Sequence, residues 1–444
     1  MRVRKIAIVG SGIVGLIAAH ALRRHRYDVT LYSDRTPDQW LHESRPTGTA
    51  ARFEMALSYE RELGLNHWDA VAPRGEGVFL TFCPKLHNQL IRLIGRSARP
   101  FQAVDLRLQC HRWMNDFDGR IVIENVSVAR LDEIARDHDL TIVAAGRADL
   151  CKLFPRDDAR STYTEPQRKL AMIITTGGAM SFDRCPFTPV KFEFLGTDGE
   201  AFFVPYFHKD HAPAWNILFE PKPGSRMDRF TNAKSGDEAL SIAKQVVHEL
   251  FPWDEEWMRP MRLADPNGWL TGSVTPAVRK PVATLSSGRI AMSLGDTAIS
   301  YDPIAAQGAN SGVKQARHVV EQIVARGGEP FDAQWMTSTF DAYFDEHARF
   351  AADFTNLFLE PIPPPAKELL IAQFGSDGRA NNDSGPQRIA DAFFANFNDP
   401  RALTGALHDM PRMRQFIART TDRPWIASAI RGRAAVIRNQ LFSR

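Results

Sequence analysis

The chain has 444 residues, 44% of them hydrophobic and 24% charged, with 55 Lys+Arg against 52 Asp+Glu. So much apolar residue without a repeat excludes disorder, collagen and coiled coil, and the length predicts more than one structural unit. A formal charge of +3 argues against a nucleic-acid-coating surface, and 28 Phe against 7 Tyr and 9 Trp predicts aromatic bulk held in an apolar interior.

In chain order, Lys5–Val9 (KIAIV) reads as a strand buried on both faces, followed at once by Gly10-Ser11-Gly12-Ile13-Val14-Gly15. Residues 13–26 read as a helix whose end carries Arg23, Arg24 and Arg26, and 28–32 (DVTLY) as the second strand. Arg2, Arg4 and Lys5 ahead of an apolar stretch imitate a signal peptide. Gly10, Gly12, Gly15 and His20 interrupt that stretch, however, and no small-residue cleavage site follows. No other segment reaches about 18 apolar residues, so neither a membrane span nor a membrane partner is expected. Further strands are predicted at 140–145, 170–176, 190–195, 201–206, 214–220 and 289–295, with a hairpin turn at Gly196-Thr-Asp-Gly199. A helix is predicted over 312–326, and beyond Phe331 only helices, broken by Pro361-Ile-Pro-Pro-Pro365. The expected organisation is a dinucleotide unit at 1–155 and 270–330, a β-rich unit at 156–269 and a helical region at 331–444.

The glycine triplet has a physical reading. Gly10 allows the tight turn, Gly12 lets backbone approach a diphosphate, and Gly15 lets the helix pack on the strand. Ser33 occupies the position of the usual ribose-binding carboxylate, and Asp34 comes one residue later. The triplet predicts a dinucleotide without choosing between NAD and FAD. The choice comes from Gly295-Asp296 and the run Asp302-Pro-Ile-Ala-Ala-Gln307-Gly308-Ala309-Asn310, which resemble the second flavin fingerprint of aromatic-hydroxylase-type flavoproteins. There the aspartate binds a ribityl hydroxyl, and a helix N-terminus faces the isoalloxazine edge, where reduced flavin is negative. The Asp-Gly motif that serves NAD(P)H in single-component hydroxylases is missing from Ala144-Ala-Gly-Arg-Ala-Asp149. A nicotinamide has no evident seat.

The motifs GSGIVGL at 10–16, DVTLYSDRTPD at 28–38, AVDLRL at 103–108, Gly146-Arg147, GSVTPAVR at 272–279, LGD with DPIAAQGAN at 294–310 and ANFNDP at 395–400 extend this likeness. Together they resemble the FAD-dependent epoxidase component of two-component styrene and indole monooxygenases. The resemblance implies an α/β fold: a Rossmann-like FAD-binding domain interleaved with a β-sheet substrate domain, plus a C-terminal helical region. It implies non-covalent FAD supplied reduced by an NAD(P)H:flavin reductase. With O2 as co-substrate, a flavin C4a-(hydro)peroxide would epoxidise or hydroxylate a small apolar aromatic compound. Cofactor contacts would come from Gly10, Gly12, Ile13, Val14, Gly15, Ser33, Asp34, Arg35, Arg45, Arg107, Ala145, Gly146, Gly295 and Asp296. Pro303 and the backbone of Gln307, Gly308, Ala309 and Asn310 would flank the isoalloxazine, and Gly48, Thr49, Pro303 and Ile304 would face the oxygen-transfer side. No acid–base pair is expected, because orientation and exclusion of water are the protein's tasks.

One departure bears on the substrate. The family carries an asparagine beside the flavin where this chain aligns Gly48, and that change would admit a larger substrate. The alternatives are a flavoprotein oxidase or dehydrogenase reduced directly by its substrate, and a flavin-binding redox sensor without turnover. Cys83, Cys110, Cys151 and Cys185 form no CxxC pair, so no disulfide framework and no metal site are expected, and a cytoplasmic location is. A homodimer is left open.

Overall fold

The computed structural model describes residues 3–49, 51–83, 91–146 and 148–442. Its first sheet runs in the order Val282–Thr284, Ile290–Ser293, Leu140–Val143, Lys5–Val9, Asp28–Ser33, Arg120–Ile123. Lys5–Val9 pairs in parallel with Asp28–Ser33 on one side and Leu140–Val143 on the other. Ile6 and Ile8 pack on one face among residues of the Ile13–Arg24 and Gln307–Arg326 helices, Ala7 and Val9 on the other against Val128–Asp137. Cover on both faces is why KIAIV carries no polar alternation. The strand order reverses at Lys5–Val9, and the crevice outside the strand ends there is where doubly wound sheets bind ligands.

The second sheet runs Arg262–Leu263, Lys169–Thr176, Pro213–Pro221, Gly199–Phe207, Pro189–Phe194, Arg74–Phe82, Ile91–Ala103, Ala51–Arg52, and Trp269–Ser273 also pairs with Lys169–Thr176. Its faces alternate strictly. Met172, Ile174, Phe202, Val204 and Leu218 join the cluster beneath the C-terminal helices, while Ala171, Ile173, Ala201, Phe203, Ile217 and Phe219 pack with residues of Gly236–Leu250. The predicted hairpin forms between Pro189–Phe194 and Gly199–Phe207.

The structure moves two boundaries. Residues 51–103, read as part of the first unit, supply three strands of the second sheet, and Trp269–Ser273 belongs to it as well. The reason lies in the pattern: Ile91–Ala103 (IRLIGRSARPFQA) interrupts its apolar positions with Gly95, Ser97 and Pro100, so it lacks a strand signature. Beyond Phe331 every element among the described residues is helical, including a π-turn at Phe344–Ala348. Among the described residues no helix is long and apolar enough to cross a membrane.

Candidate active site

The Lys5–Val9, Leu140–Val143 and Ile290–Ser293 strands lie side by side, and the loops leaving their ends build a groove. Gly10 sits at φ +119°, and a Cβ there would fall 2.6 Å from the Ala144 carbonyl oxygen; at Gly15 it would fall 2.0 Å from the carbonyl oxygen of Gly10. Both positions are dictated by packing. Gly12 is different, because nothing lies within 4 Å of where its Cβ would stand. This glycine opens onto space.

Gly12 begins the Ile13–Arg24 helix, which has neither a side-chain cap nor an acidic residue in its first turn. The Gln307–Arg326 helix starts in the same way after Ala306, left-handed at φ +52°, and Gly308 again faces open space. Elsewhere Ser127, Ser235, Asp332, Ser384 and Asp409 cap their helices with side-chain oxygens. Val14 joins the two uncapped starts: a Cβ on Gly295 would lie 3.2 Å, and one on Gly312 2.5 Å, from its side chain. Two sets of unpaired helix N–H groups therefore converge, each with a glycine that leaves room for a ligand. Asp296 is exposed on this wall yet surrounded by protein, and burial raises its carboxyl against the opposing charge of Arg279. A double cradle of backbone donors with an accessible carboxylate between strands fits FAD's diphosphate and ribityl chain.

The other predicted contacts divide. Asp34 is partly exposed and pairs with Arg35 at 2.7 Å, and Arg35 stacks over Trp40 and donates to Ser44 Oγ at 2.9 Å. Arg45 is exposed over the Trp269 ring, 4.4 Å from its centroid. Ala145 accepts from Thr297 Oγ1 at 2.9 Å, Gly146 is open, and Arg147 lies outside the described residues. Ile13 is buried in the first core. Ser33 departs from expectation: its hydroxyl is buried on Ser11 Oγ at 2.6 Å, which also accepts from Trp40 Nε1 at 3.0 Å, so the acid available to a ribose is Asp34.

Arg107 also departs. It is 0% exposed, with Asp105 and Asp265 both forked on its guanidinium at 2.7–2.9 Å. A side chain closed off by protein atoms does not reach a groove. The cause is local: Asp105 caps the Leu106–Asn115 helix and folds the arginine two residues on back against itself. The polar side chains of the second fingerprint likewise build the loop. Gln307 donates to the Ala305 and Phe397 carbonyls, and Asn310 donates to Ala51 and Ala306 while accepting from Phe53 N–H. That leaves the backbone of Gly308 and Ala309 toward the groove, with both residues partly exposed.

Beside this helix start lies a small apolar cavity. Thr49, Pro303, Ile304 and Ala306 line the end next to the Gln307–Arg326 helix start, and Ala51, Val78, Val190, Val204, Leu218 and six phenylalanines (Phe53, Phe101, Phe192, Phe202, Phe394, Phe397) line the rest. Thr49 is the single polar side chain, and no titratable group lines the wall. Gly48 stands nearby, where a Cβ would meet only Leu106 Cδ1 at 3.9 Å. A buried acid cluster adjoins the cavity, with Glu200 and Glu220 two residues from its lining residues Phe202 and Leu218 and Asp302 next to Pro303. Glu200 and Glu220 are cross-strand partners, Arg168 is forked on Glu200 at 2.7 and 3.1 Å, and Asp302 caps the Pro303–Ala305 turn through Ile304 N–H. Burial first, then the neighbouring Asp302 and Glu200 carboxylates, push the Glu220 carboxyl well above the usual range.

The family model of the styrene monooxygenase A substrate binding domain matches residues 146–257, and that of an NAD(P)-binding Rossmann-like domain matches 8–38. Styrene monooxygenase StyA of Pseudomonas fluorescens is 28% identical over 416 residues, covering 89% of this chain and 93% of the relative, and StyA of a Pseudomonas sp. gives the same figures. Among solved structures, the flavin-dependent brominase Bmp2 superposes with a TM-score of 0.61 at 14% identity, covering 99% of each chain. The halogenase PltM follows at 0.59 and 13%, covering 99% of this chain and 97% of the other. The chain resembles the StyA-like flavoprotein monooxygenases. It is a FAD-dependent oxidoreductase of aromatic-hydroxylase-like architecture. The Bmp2 and PltM likenesses speak for the fold alone.

Sequence reasoning missed the cavity wall. Phe202 and Val204 share one sheet face by their two-residue step, and Phe394 and Phe397 one helix face by their three-residue step. Those periodicities name the faces; only the fold shows that the faces meet.

Proposed function

We propose that this chain is the oxygenase component of a two-component monooxygenase, receiving reduced FAD from a separate NAD(P)H:flavin reductase and epoxidising or hydroxylating a small apolar aromatic compound in the cytoplasm. One observation carries the reading: an apolar cavity without a titratable wall adjoins the uncapped start of the Gln307–Arg326 helix. Such a cavity suits a reaction whose oxidant comes from the cofactor. The named relatives are styrene monooxygenases, and the missing Asp-Gly motif leaves hydride delivery to a partner.

Bound and reduced, FAD supplies activation of O2 for transfer of one oxygen atom. The chain's residues do the rest. Backbone N–H groups after Gly12 hold the diphosphate, Asp296 takes a ribityl hydroxyl, and Asp34 takes the ribose. The N–H groups of Gly308 and Ala309 stabilise negative charge at the pyrimidine edge. Pro303, Ile304 and Thr49 set the distance between cofactor and substrate, and the phenylalanines orient an aromatic ring while keeping water out. Gly48 in place of the family asparagine favours substrates larger than styrene or indole.

The test supplies the chain with FAD, a flavin reductase, NADH and O2, and a panel of styrene, vinylnaphthalenes and indoles. Epoxide or hydroxylated indole, with one labelled atom from 18O2, is the expected product. Substrate-dependent bleaching of FAD without O2 would assign an oxidase or dehydrogenase instead, halogenated product in bromide would assign a halogenase, and absence of any product would leave a redox sensor.

A further inference from the structure

A second, small apolar cavity lies further along the same sheet face. The parallel pairing of Arg74–Phe82 with Pro189–Phe194 sets Val78 beside Val190, Leu80 beside Phe192 and Phe82 beside Phe194. Val78, Val190 and Phe192 line the cavity next to the fingerprint helix, whereas Leu80, Phe82 and Phe194 line the second. The two chambers are thus successive along one face, a two-residue step of about 6.8 Å apart. Helix residues Phe358, Ala366, Leu369 and Phe393 roof the outer one, and every lining residue is apolar. Phe82 and Ile362 at its far end are partly exposed.

The partition between the chambers is made of rings. Phe358, in the outer wall, stands 5.8 Å from Phe192 and 6.0 Å from Phe397, both in the inner wall. Aromatic rings in tilted contact separate by torsional motion of single side chains, without breaking hydrogen bonds. A cavity lined wholly by apolar side chains stays dry and favours apolar ligands, and rotation of its phenylalanines would widen it for an aromatic ring.

The geometry points to the outer chamber as a second binding site for the apolar aromatic substrate, an antechamber that passes it to the inner cavity through the Phe192–Phe358–Phe397 partition. This rests on the proposed aromatic substrate. It gives that substrate a route separate from the polar FAD groove, so loading does not admit water across the flavin face.

The test uses crystals of the full-length chain with oxidised FAD, soaked in 4-bromostyrene, whose bromine is located by anomalous scattering. Two positions are expected, one near Pro303 and one near Leu369. Bromine in the inner cavity alone at saturation overturns the proposal. Ala366→Phe fills the outer chamber: its bromine peak should vanish while the inner one remains, and kcat/KM should fall at least about tenfold with stability checked by urea unfolding. Phe358→Leu loosens the partition and should raise kcat/KM for 2-vinylnaphthalene at least about threefold. Unchanged substrate capture in both variants also overturns it. Bromine occupancy needs no turnover, so an outer peak without product sinks the oxygenase reading alone, and product with an empty outer chamber sinks this inference alone.

Discussion

Gly12 and Gly15 are three residues apart in one motif and should answer the same added methyl group in opposite ways. At Gly15 a Cβ meets the Gly10 carbonyl oxygen at 2.0 Å, so Gly15→Ala is expected to destabilise the FAD-free chain by about 2–3 kcal/mol. At Gly12 it meets nothing, so Gly12→Ala should leave stability within about 0.5 kcal/mol. The same change should weaken FAD by at least about tenfold, roughly 1.4 kcal/mol, because the methyl occupies the diphosphate's place. Urea unfolding and flavin fluorescence titration measure the two quantities, and equal effects of both variants on stability would refute the assignment. Gly48→Asn has similar freedom, with Leu106 Cδ1 at 3.9 Å. It should fold normally and shift the product ratio of competing vinylnaphthalene and styrene toward styrene by about threefold, around 0.6 kcal/mol. Residues with a steric role were readable from the motif itself. Ser33 and Arg107 were not: Ser33 bonds to Ser11 on the neighbouring strand's turn, and Arg107, folded onto Asp105 two residues before it, is closed off by Asp265 from a distant segment.

Between elements, the clearest joint is Asp105, Arg107, His208 and Asp265. It ties the Leu106–Asn115 helix to the end of the Gly199–Phe207 strand and to the connection before Trp269–Ser273, with His208 Nε2 2.7 Å from Asp265. Burial alone would raise the Asp265 carboxyl, but hydrogen bonds from His208 and Arg107 outweigh it and hold the group well below the usual range. A carboxyl depressed in the folded state contributes stability above its unfolded pKa, about 4, and loses it as pH falls through the native value. Asp265→Asn is therefore expected to cost about 2–3 kcal/mol at pH 7, Arg107 keeping Asp105, with the difference from the parent shrinking below pH 4. Urea midpoints from pH 3 to 8 decide this, and a gap constant across that range would remove the ionic explanation. Elements whose side chains alternate or repeat were legible: Pro189–Phe194 and Gly199–Phe207 lie where their patterns put them, while the helix predicted over 312–326 begins earlier, at Gln307 within the fingerprint. Ile91–Ala103 was illegible because its burial comes from the Gly385–Asn398 helix laid across it, and no local pattern announces that cover.

At the scale of the whole molecule, the two units share their walls. The first sheet and the fingerprint helix hold one side of the site, while strands drawn from 51–103 and 189–221 and the C-terminal helices enclose the other. This interleaving is what the near-neutral, Phe-rich composition could not convey. The excess of phenylalanine lines two chambers as well as filling a core. Among the described residues a single Rossmann-type crevice is seen, and the proposed function gives it to FAD. NADH or NADPH alone should thus reduce the bound FAD at least about 100-fold more slowly than a flavin reductase delivers reduced FAD. Anaerobic stopped-flow absorbance at the flavin band measures both rates, and rapid direct reduction would show that a nicotinamide seat exists.

The bare start of the Gln307–Arg326 helix has a thermodynamic consequence beyond holding a ligand. Its partial positive charge, set against the isoalloxazine as proposed above, would favour the reduced, anionic form over the oxidised one, so the site would bind the two forms unequally. Unequal binding is a shift of midpoint potential: each tenfold preference for reduced FAD raises that of the bound couple by about 30 mV. In the proposed two-component scheme the protein would then draw reduced flavin out of solution and release the oxidised form, which would give the transfer a direction.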